Sequence, residues 1–237
     1  MITGCGCPGA PGIIKCLKEQ GLIVIGTDMR DDLFAGRKLV HMFYNVPGAH
    51  DKNYISAICD ICQKEKIDTV IPLTTQEVLV LSKIRDTLHV AVSHPDTVKN
   101  VIDKYLLYCM LPDISPFAVT VRTRDEFWYF YRKIYEIKGQ VCFKPLISNG
   151  SRGFRVVGNK QWDDIYREKP SAIYITEYDI KNILPERFNP LLLMEYLSGE
   201  EYTVDVLYHN YNPIIIVPRL RLKITEGITH SCIITQN

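Results

Sequence analysis

Residues 143–157 read FKPLISNGSRGFRVV, and they indicate the fold more strongly than any other stretch of the chain. A strand that carries Lys144 at its end is followed by a loop with Gly150, Ser151 and Gly153, and then by a second apolar run. Backbone N–H groups and a hydroxyl in such a loop can bind phosphate oxygens, and a lysine at its base adds a positive charge. The stretch therefore predicts a loop that covers a triphosphate, with an ordinary hairpin and a surface lysine as the alternative.

A second informative stretch is LLLMEYLSGEEYTVDV at residues 191–206. Its apolar strand runs into Glu195, Tyr196 and Leu197, breaks at a Ser-Gly pair, and resumes at Glu201. A break of this kind can offer one backbone carbonyl and one N–H to the edge of a purine, and a nearby carboxylate can bind ribose hydroxyls. A polar β-turn is the alternative interpretation, because Ser-Gly-Glu is common in turns.

The chain begins MITGCGCPGAPG, in which Gly4, Gly6 and Gly9 spell the G-x-G-x-x-G pattern of dinucleotide-binding folds. Asp28 follows at about the distance expected of the ribose-binding carboxylate. Two prolines inside the loop remove N–H donors that a pyrophosphate would use, and no second mononucleotide half follows. We therefore favour a tight strand–helix turn with Asp28 as a strand-end carboxylate, and an NAD-dependent oxidoreductase remains as a rival hypothesis.

Apolar runs alternate with helical patterns over the first 94 residues, which predicts a parallel sheet covered by helices. Later segments change to antiparallel α+β patterns, with an aromatic amphipathic helix before residue 139. We therefore predict an α/β protein with a Rossmann-like domain at 1–94 and an α+β domain at 95–237. The predicted strands of the first domain lie near residues 1–3, 22–26, 42–46, 69–73 and 89–93, and its helices near 10–20, 51–64 and 75–86.

Composition narrows the functional classes. The chain has 237 residues and a formal net charge of +1, so it lacks the basic excess typical of proteins that bind nucleic acid. No apolar run has the length of a membrane span, and no signal peptide is apparent, so we expect a cytoplasmic protein without a membrane partner. Its eight cysteines are then expected to be reduced thiols. Cys59 and Cys62 form a C-x-x-C on a predicted helix, where we interpret them as small core residues because no second ligand pair has zinc-site spacing.

The ordered set of motifs resembles the ATP-grasp superfamily, and within it the branch similar to the carbamoyl phosphate synthetase large subunit. The resemblance covers most of the chain, from about residue 1 to 235. It rests on the Rossmann-like start and on four motifs: D-K at 103–104, K-P-x4-G-S-x-G at 144–153, E-Y-L-x-G-x-E-Y-T-V-D-V at 195–206 and P-R-L-R-L-K-I-T-E-G at 218–227.

The resemblance implies a pre-ATP-grasp domain at 1–94 and an ATP-grasp domain at 95–237, with a lid subdomain at about 112–192. It implies that ATP binds in the later domain rather than at the first glycine loop. The implied ATP-binding residues are Lys104, Lys144, Ser148, Gly150, Ser151, Gly153, Glu195, Tyr196, Leu197 and Glu201, with Glu201 as the ribose ligand. Lys144, Arg219 and Arg221 are implied catalytic residues, and Arg219, Arg221 and His230 are assigned to face the phosphates or the acceptor.

The implied activity is that of an ATP-dependent ligase, in which a carboxylate is phosphorylated by ATP and the acylphosphate is attacked by an amine. Small-molecule carboxylates and amines are the implied partners, and a homodimer is compatible with the family. The family's Mg²⁺ ligands lie on strands after a further helix, so we expect them beyond residue 237 and expect this chain to be a C-terminally incomplete piece of a longer enzyme. A non-catalytic nucleotide-binding module is the alternative.

Overall fold

A computed structural model describes residues 1–148, 152–158, 174–209, 212–225 and 228–235. The chain forms two compact units, Met1–Ile102 and Asp103–Asn237. The division lies later in the chain than the predicted boundary at residue 94. The reason is that the helix Pro95–Ile102 packs against the preceding helix Thr75–Leu81, so it belongs to the first unit.

The first unit contains a parallel sheet in the order β3-β2-β1-β4. Because β1 lies between β2 and β4, the strand order reverses there, and the loops after β1 and β4 diverge at the carboxyl edge of the sheet. The strands are β1 (Ile2–Thr3), β2 (Ile25–Asp28), β3 (Met42–Asn45) and β4 (Ile71–Pro72).

Two predicted strands of this unit differ from the structure. The strand predicted at 22–26 begins only at Ile25, and Leu22 and Ile23 are 52% and 78% exposed. The strand predicted at 89–93 is reduced to a single bridge between Val70 and Val90. In both segments apolar composition alone suggested a strand, but the sheet provides no neighbouring backbone along the full run.

The sheet of the first unit is covered on both faces by helices. They are α1 (Ala10–Glu19), α2 (Ala35–Leu39), α3 (Tyr54–Lys64), α4 (Thr75–Leu81), α5 (Arg85–Leu88) and α6 (Pro95–Ile102), with a 3₁₀ turn at Ser82–Ile84. Met1 and Ile25 belong to one core cluster, whereas Ile2 and Val24 belong to another. Alternation along β1 and β2 therefore supplies both faces. Cys62 is buried in the α3 core, Cys59 is half-buried, and both are free thiols.

The second unit contains a five-stranded sheet in the order β5-β9-β6-β7-β8, antiparallel except for the β7–β8 pair. Helices α8 and α9 pack on one face of it. The strands are β5 (Ala118–Thr123), β6 (Val141–Pro145), β7 (Arg155–Val157), β8 (Tyr174–Ile175) and β9 (Arg187–Glu195). The helices are α7 (Lys104–Met110), α8 (Arg124–Lys138) and α9 (Glu177–Ile183).

Helix α8 shows why this region folds as the pattern predicted. Its N-cap Thr123 and Glu126 form a reciprocal capping box, which satisfies two backbone donors at the start of the helix. Gly139 ends it in the left-handed region, with φ at 75°. The fully buried ring of Phe127 meets Phe143 of β6 edge-to-face at 5.4 Å between centroids, so the helix is fixed on the sheet.

A separate three-stranded antiparallel sheet completes the second unit. It contains β10 (Tyr202–His209), β11 (Asn212–Thr225) and β12 (Ile228–Ile234) in sequential order. His209 pairs with Asn212 across the hairpin predicted at HNYN, and the two residues between them lie outside the described ranges. Within the described part of the chain, no helix has the length and apolar character needed to cross a membrane. The predicted order, an α/β unit followed by α+β structure, is confirmed.

Candidate nucleotide-binding site

Lys144 lies on the face of the five-stranded sheet opposite helix α8. Cross-strand pairs share a face, and Lys144 is paired with Leu192 while Cys142 is paired with Met194. A buried apolar cluster forms there, consisting of Cys142, Val156, Leu192 and Met194. We call this surface the Cys142 face. Half-buried aromatic side chains pack around it, namely Tyr108, Phe154, Tyr174 and Tyr196.

The ammonium of Lys144 is held next to Tyr108, a residue of helix α7. Lys144 Nζ donates a hydrogen bond to the Tyr108 hydroxyl oxygen at 3.1 Å and lies 5.5 Å from the centre of its ring. Beneath it, burial raises the pKa of the Cys142 thiol to about 12, so Cys142 is a neutral, apolar floor at neutral pH. The arrangement therefore combines a positive charge with an apolar surface.

Lys104 is close to this group but is engaged differently. Its ammonium donates to the Leu146 carbonyl at 3.2 Å, to the Ser148 carbonyl at 2.9 Å and to the Ser148 hydroxyl at 3.2 Å. The pKa of Lys104 is lowered, first by burial and then by the positive charge of Lys144. The structure thus brings Lys104, Lys144 and Ser148 together, with Lys104 anchoring the segment that leaves β6.

The loop after β6 is described only in part. Gly153 has φ at 78°, and a Cβ at this position would lie 2.8 Å from the Cδ and Cγ atoms of Pro145. Glycine is required here both by the left-handed backbone and by the close approach to the proline ring. Gly150 and Ser151, which were predicted to bind phosphate, lie outside the described residues.

The carboxylate of Glu195, at the end of β9, is occupied within the protein. It accepts the Phe117 N–H at 2.7 Å and pairs with Lys138 at 3.0 Å. These two contacts, the Phe117 N–H first, hold the pKa of Glu195 below its usual range. The N–H of Tyr196 donates to the Gln140 carbonyl at 3.0 Å, whereas Leu197, the next residue, is 58% exposed.

The remaining predicted residues lie on the three-stranded sheet or, for Glu201, directly before its first strand. Glu201 is paired with Arg221, whose Nε also donates to Thr229 at 2.7 Å, and Arg219 is paired with Asp205 at 2.6 Å. These carboxylates neutralise the two arginines on which a catalytic role was predicted. His230, on the neighbouring strand β12, is exposed.

The sequence interpretation missed Tyr108 and Lys138. Tyr108 follows Lys104 by one turn of helix α7, so its place on the same face of the helix could be found from spacing. Lys138 is the last residue of helix α8, where a basic side chain is expected from the helix dipole alone. Its partner Glu195 is far away along the chain, and no local pattern connects them.

The first glycine loop, by contrast, is surrounded by carboxylates. The Gly6 N–H donates to Asp28 at 2.6 Å, and a Cβ on Gly4, where φ is 67°, would lie 2.7 Å from Glu77 Oε2. Burial raises the pKa of Glu77. A cavity of about 330 Å³ opens here, lined by both carboxylates and by Arg30. Because Asp28 already occupies the loop N–H and adds negative charge, this geometry disfavours a pyrophosphate and agrees with the strand–helix turn interpretation.

Comparison with known proteins gives two family matches and many structural ones. Residues 1–93 match the family described as PylC-like, N-terminal domain. Residues 187–235 match the family described as ATP-grasp in the biosynthetic pathway with Ter operon. A search of curated proteins found no match. The placement in the carbamoyl phosphate synthetase branch stays a prediction, since neither matching family is named for it.

Among solved structures, the L-amino acid ligase from Bacillus licheniformis is similar with a TM-score of 0.65 at 14% identity, covering 100% of this chain and 54% of that one. An ADP complex of PurK, N5-carboxyaminoimidazole ribonucleotide synthetase, is similar with a TM-score of 0.65 at 11% identity, and the match covers 98% of this chain and 55% of that one. Phosphoribosylglycinamide synthetase from Anaerococcus prevotii has a TM-score of 0.60 at 14% identity, and the match covers 98% of this chain and 53% of that one. The chain therefore spans about half the length of these proteins.

At such identities the structures establish the fold, and the match at 187–235 connects that fold to a named family. The resemblance that the glycine loop and the E-Y-L-x-G-x-E motif predicted is supported by the match of residues 187–235 to an ATP-grasp family and of residues 1–93 to the PylC-like N-terminal domain, and the chain has the fold of these solved structures.

Proposed function

We propose that the chain is the nucleotide-binding part of an ATP-dependent ligase that joins a carboxylate to an amine. In the reaction, a carboxylate oxygen of the substrate attacks the γ-phosphorus of ATP, giving an acylphosphate and ADP. The amine then attacks the acyl carbon, phosphate leaves, and the amine loses a proton. Two similar structures, an L-amino acid ligase and a ribonucleotide synthetase bound to ADP, support this class of reaction.

The observation that carries the proposal is the position of Lys144. The Lys144 ammonium lies at the end of a strand, next to an apolar surface and to the beginning of a glycine-containing loop, and all three belong to one structural unit. An adenine ring needs an apolar surface, and a triphosphate needs fixed positive charge. The Cys142 face and Lys144 supply both requirements side by side.

The residues of this site fit a nucleotide in distinct roles. Lys144 would act as a point charge on the phosphates, and Lys104, through its bonds to Leu146 and Ser148, would hold the start of the loop. Exposed Leu197, just past the end of β9, would present backbone atoms to the edge of the base, together with Tyr196. We assign Glu195 to the support of this segment, since its carboxylate is already engaged.

Other assignments remain part of the proposal. Gly150 and Ser151 would bind phosphate, and Glu201 would bind ribose with the carboxylate oxygen that its pair with Arg221 leaves available. Arg219, Arg221 and His230 would face the phosphates or the acceptor. Mg²⁺ would neutralise charge on the triphosphate. Within the part of the chain that the structure describes, no group of three or more His, Cys, Asp or Glu side chains could hold a metal ion. A cytoplasmic location and a homodimer complete the proposal.

Nucleotide binding by this chain tests the proposal directly. Thermal melts with ADP, with ATP and Mg²⁺, and with NAD should show stabilisation by adenine nucleotides but not by NAD. At one hundred times the dissociation constant, a ligand stabilises by about 2.7 kcal/mol, which raises the midpoint by roughly 5–10 °C for a protein of this size. Stabilisation by NAD alone would overturn the proposal and restore the dinucleotide hypothesis for the first loop.

A pair of lysine variants makes this test specific. Lys144→Gln should remove most of the shift caused by ADP. Lys133→Gln is the matched control, because Lys133 also lies over a tyrosine ring, 4.4 Å from the centre of Tyr129, but is exposed on helix α8. Equal loss in both variants would show that the effect comes from general charge, and would count against a site at Lys144.

A further inference from the structure

Helix α7 presents two side chains toward the β6 segment from one face. Lys104 and Tyr108 are separated by one helical turn, so their side chains project from the same side of the helix. Lys104 binds the backbone at Leu146 and Ser148, while Tyr108 accepts the hydrogen bond from Lys144. A single helix turn therefore contacts both the loop and the strand-end lysine.

The Tyr108 hydroxyl is itself held in a defined position. Its ring packs against the buried cluster of the Cys142 face, and the tyrosine is half-buried. The backbone of α7 is also bonded to the residue that follows β6, because the Lys104 N–H donates to the Leu146 carbonyl at 3.2 Å. A phenol fixed in this way can orient a flexible partner, whereas an exposed tyrosine could not.

Lysine needs such a partner more than most residues. Its side chain has four carbons and many rotamers, and binding a phosphate with a freely moving ammonium requires that this motion be lost. A hydrogen bond made before the ligand arrives reduces this entropic loss and so strengthens binding.

We propose that Tyr108 is a positioning residue, which holds the Lys144 ammonium over the Cys142 face in readiness for the phosphates of a nucleotide. The inference rests on the proposed nucleotide-binding role of Lys144 for its functional consequence. The hydrogen bond between the two side chains, however, can be tested without any ligand.

Tyr108→Phe removes the hydroxyl and retains the ring in its packing. Tyr105→Phe is the matched control on the same helix, because Tyr105 is 36% exposed and lies outside the cluster of the Cys142 face. Titration calorimetry with ADP should give an approximately three- to tenfold weaker dissociation constant for Tyr108→Phe, the range expected for loss of one hydrogen bond. Tyr105→Phe should bind as the parent does.

A double-mutant cycle separates positioning from other roles of the hydroxyl. If Tyr108 acts through Lys144, then adding Tyr108→Phe to Lys144→Gln should change the dissociation constant for ADP by less than twofold. An undiminished effect of Tyr108→Phe in the Lys144→Gln background would overturn the inference, because the hydroxyl would then contact the nucleotide or support the fold independently. No effect of Tyr108→Phe in the parent background would overturn it too.

A ligand-free measurement keeps the inference distinct from the proposed function. Brief labelling with acetic anhydride, followed by peptide mass spectrometry, reports how readily each lysine amine reacts. Labelling of Lys144 should become about two- to tenfold faster in Tyr108→Phe and stay unchanged in Tyr105→Phe, with Lys133 as the internal reference. If ADP fails to bind the parent chain, the proposed function falls, and this labelling alone decides whether Tyr108 holds Lys144. Unchanged labelling of Lys144 would refute the contact.

Discussion

Glu195→Gln isolates what the carboxylate at the end of β9 contributes to the fold. Glutamine has nearly the same shape and can still accept the Phe117 N–H, but it has no charge with which to attract Lys138. We expect the variant to be less stable at pH 7 and to keep its affinity for ADP. The reason is that this side chain connects the end of β9 to the segment before β5 and to the end of helix α8.

The magnitude follows from the two contacts. A hydrogen bond to a charged acceptor is worth about 1 kcal/mol more than one to a neutral acceptor, so the bond at 2.7 Å weakens by roughly that amount. Lys138 is 41% exposed, and solvent therefore reduces its ion pair with Glu195 to about 0.2–1 kcal/mol. Together these give a loss of about 1–2 kcal/mol, or roughly 3–8 °C in the melting midpoint.

The pH dependence provides the sharper assay. The Phe117 N–H and Lys138 lower the pKa of Glu195 in the folded protein, so its stabilisation is present above the ordinary carboxyl pKa of about 4.3. It is lost as the pH falls through the lower, folded-state pKa. Urea denaturation of both proteins should therefore show a constant difference from pH 7 to about pH 5, and a shrinking difference below about pH 4.

Two results would refute this reasoning. One is a difference in stability that persists unchanged at the lowest pH at which both proteins fold. The other is normal stability of Glu195→Gln with strongly weakened ADP binding, which would mean that the carboxylate itself contacts the base. Glu136→Gln, an exposed carboxylate near the end of helix α8, is the matched control and should change stability by less than about 0.5 kcal/mol.

Three other substitutions test separate parts of the structure. Gly153→Ala should lower the free energy of unfolding by about 1–2 kcal/mol because of its left-handed backbone, and by more because of contact with Pro145, and it should weaken ADP binding. Gly158→Ala, which has open space around its Cβ, should change neither stability nor binding. Calorimetry on both variants checks this. Asp28→Asn should lower the melting temperature by a few degrees without altering ADP affinity, and a loss of nucleotide binding would contradict the role given to the first loop. Thr123→Ala should cost about 1 kcal/mol in urea denaturation, because it removes the N-cap of helix α8, and an unchanged midpoint would show that the capping box contributes nothing.

Local sequence determines the features that depend on neighbours along the chain. The capping residues and Gly139 delimit helix α8, and strand alternation places Cys142 and Lys144 on one face of β6. Gly4, which follows β1, has φ at 67°, and glycine adopts this left-handed backbone angle without the steric cost that other residues pay. Such features need only periodicity, stereochemistry and capping, all of which operate over a few residues.

Tertiary structure decided which groups meet. Phe117 and Glu195 are 78 positions apart, and Lys104 and Ser148 are 44 apart. No local pattern could therefore show that these contacts engage three residues, Glu195, Lys104 and Ser148, on which ligand roles were predicted. The strand predicted at 22–26 was likewise wrong in its start, since a strand exists only where a neighbour provides backbone partners. The sequence by itself determined most of the helices and strands and the motifs that resemble the ATP-grasp superfamily. Only the fold could decide whether a charged side chain remains available or is already paired, because hydrogen bonding and desolvation depend on groups brought together from distant parts of the chain.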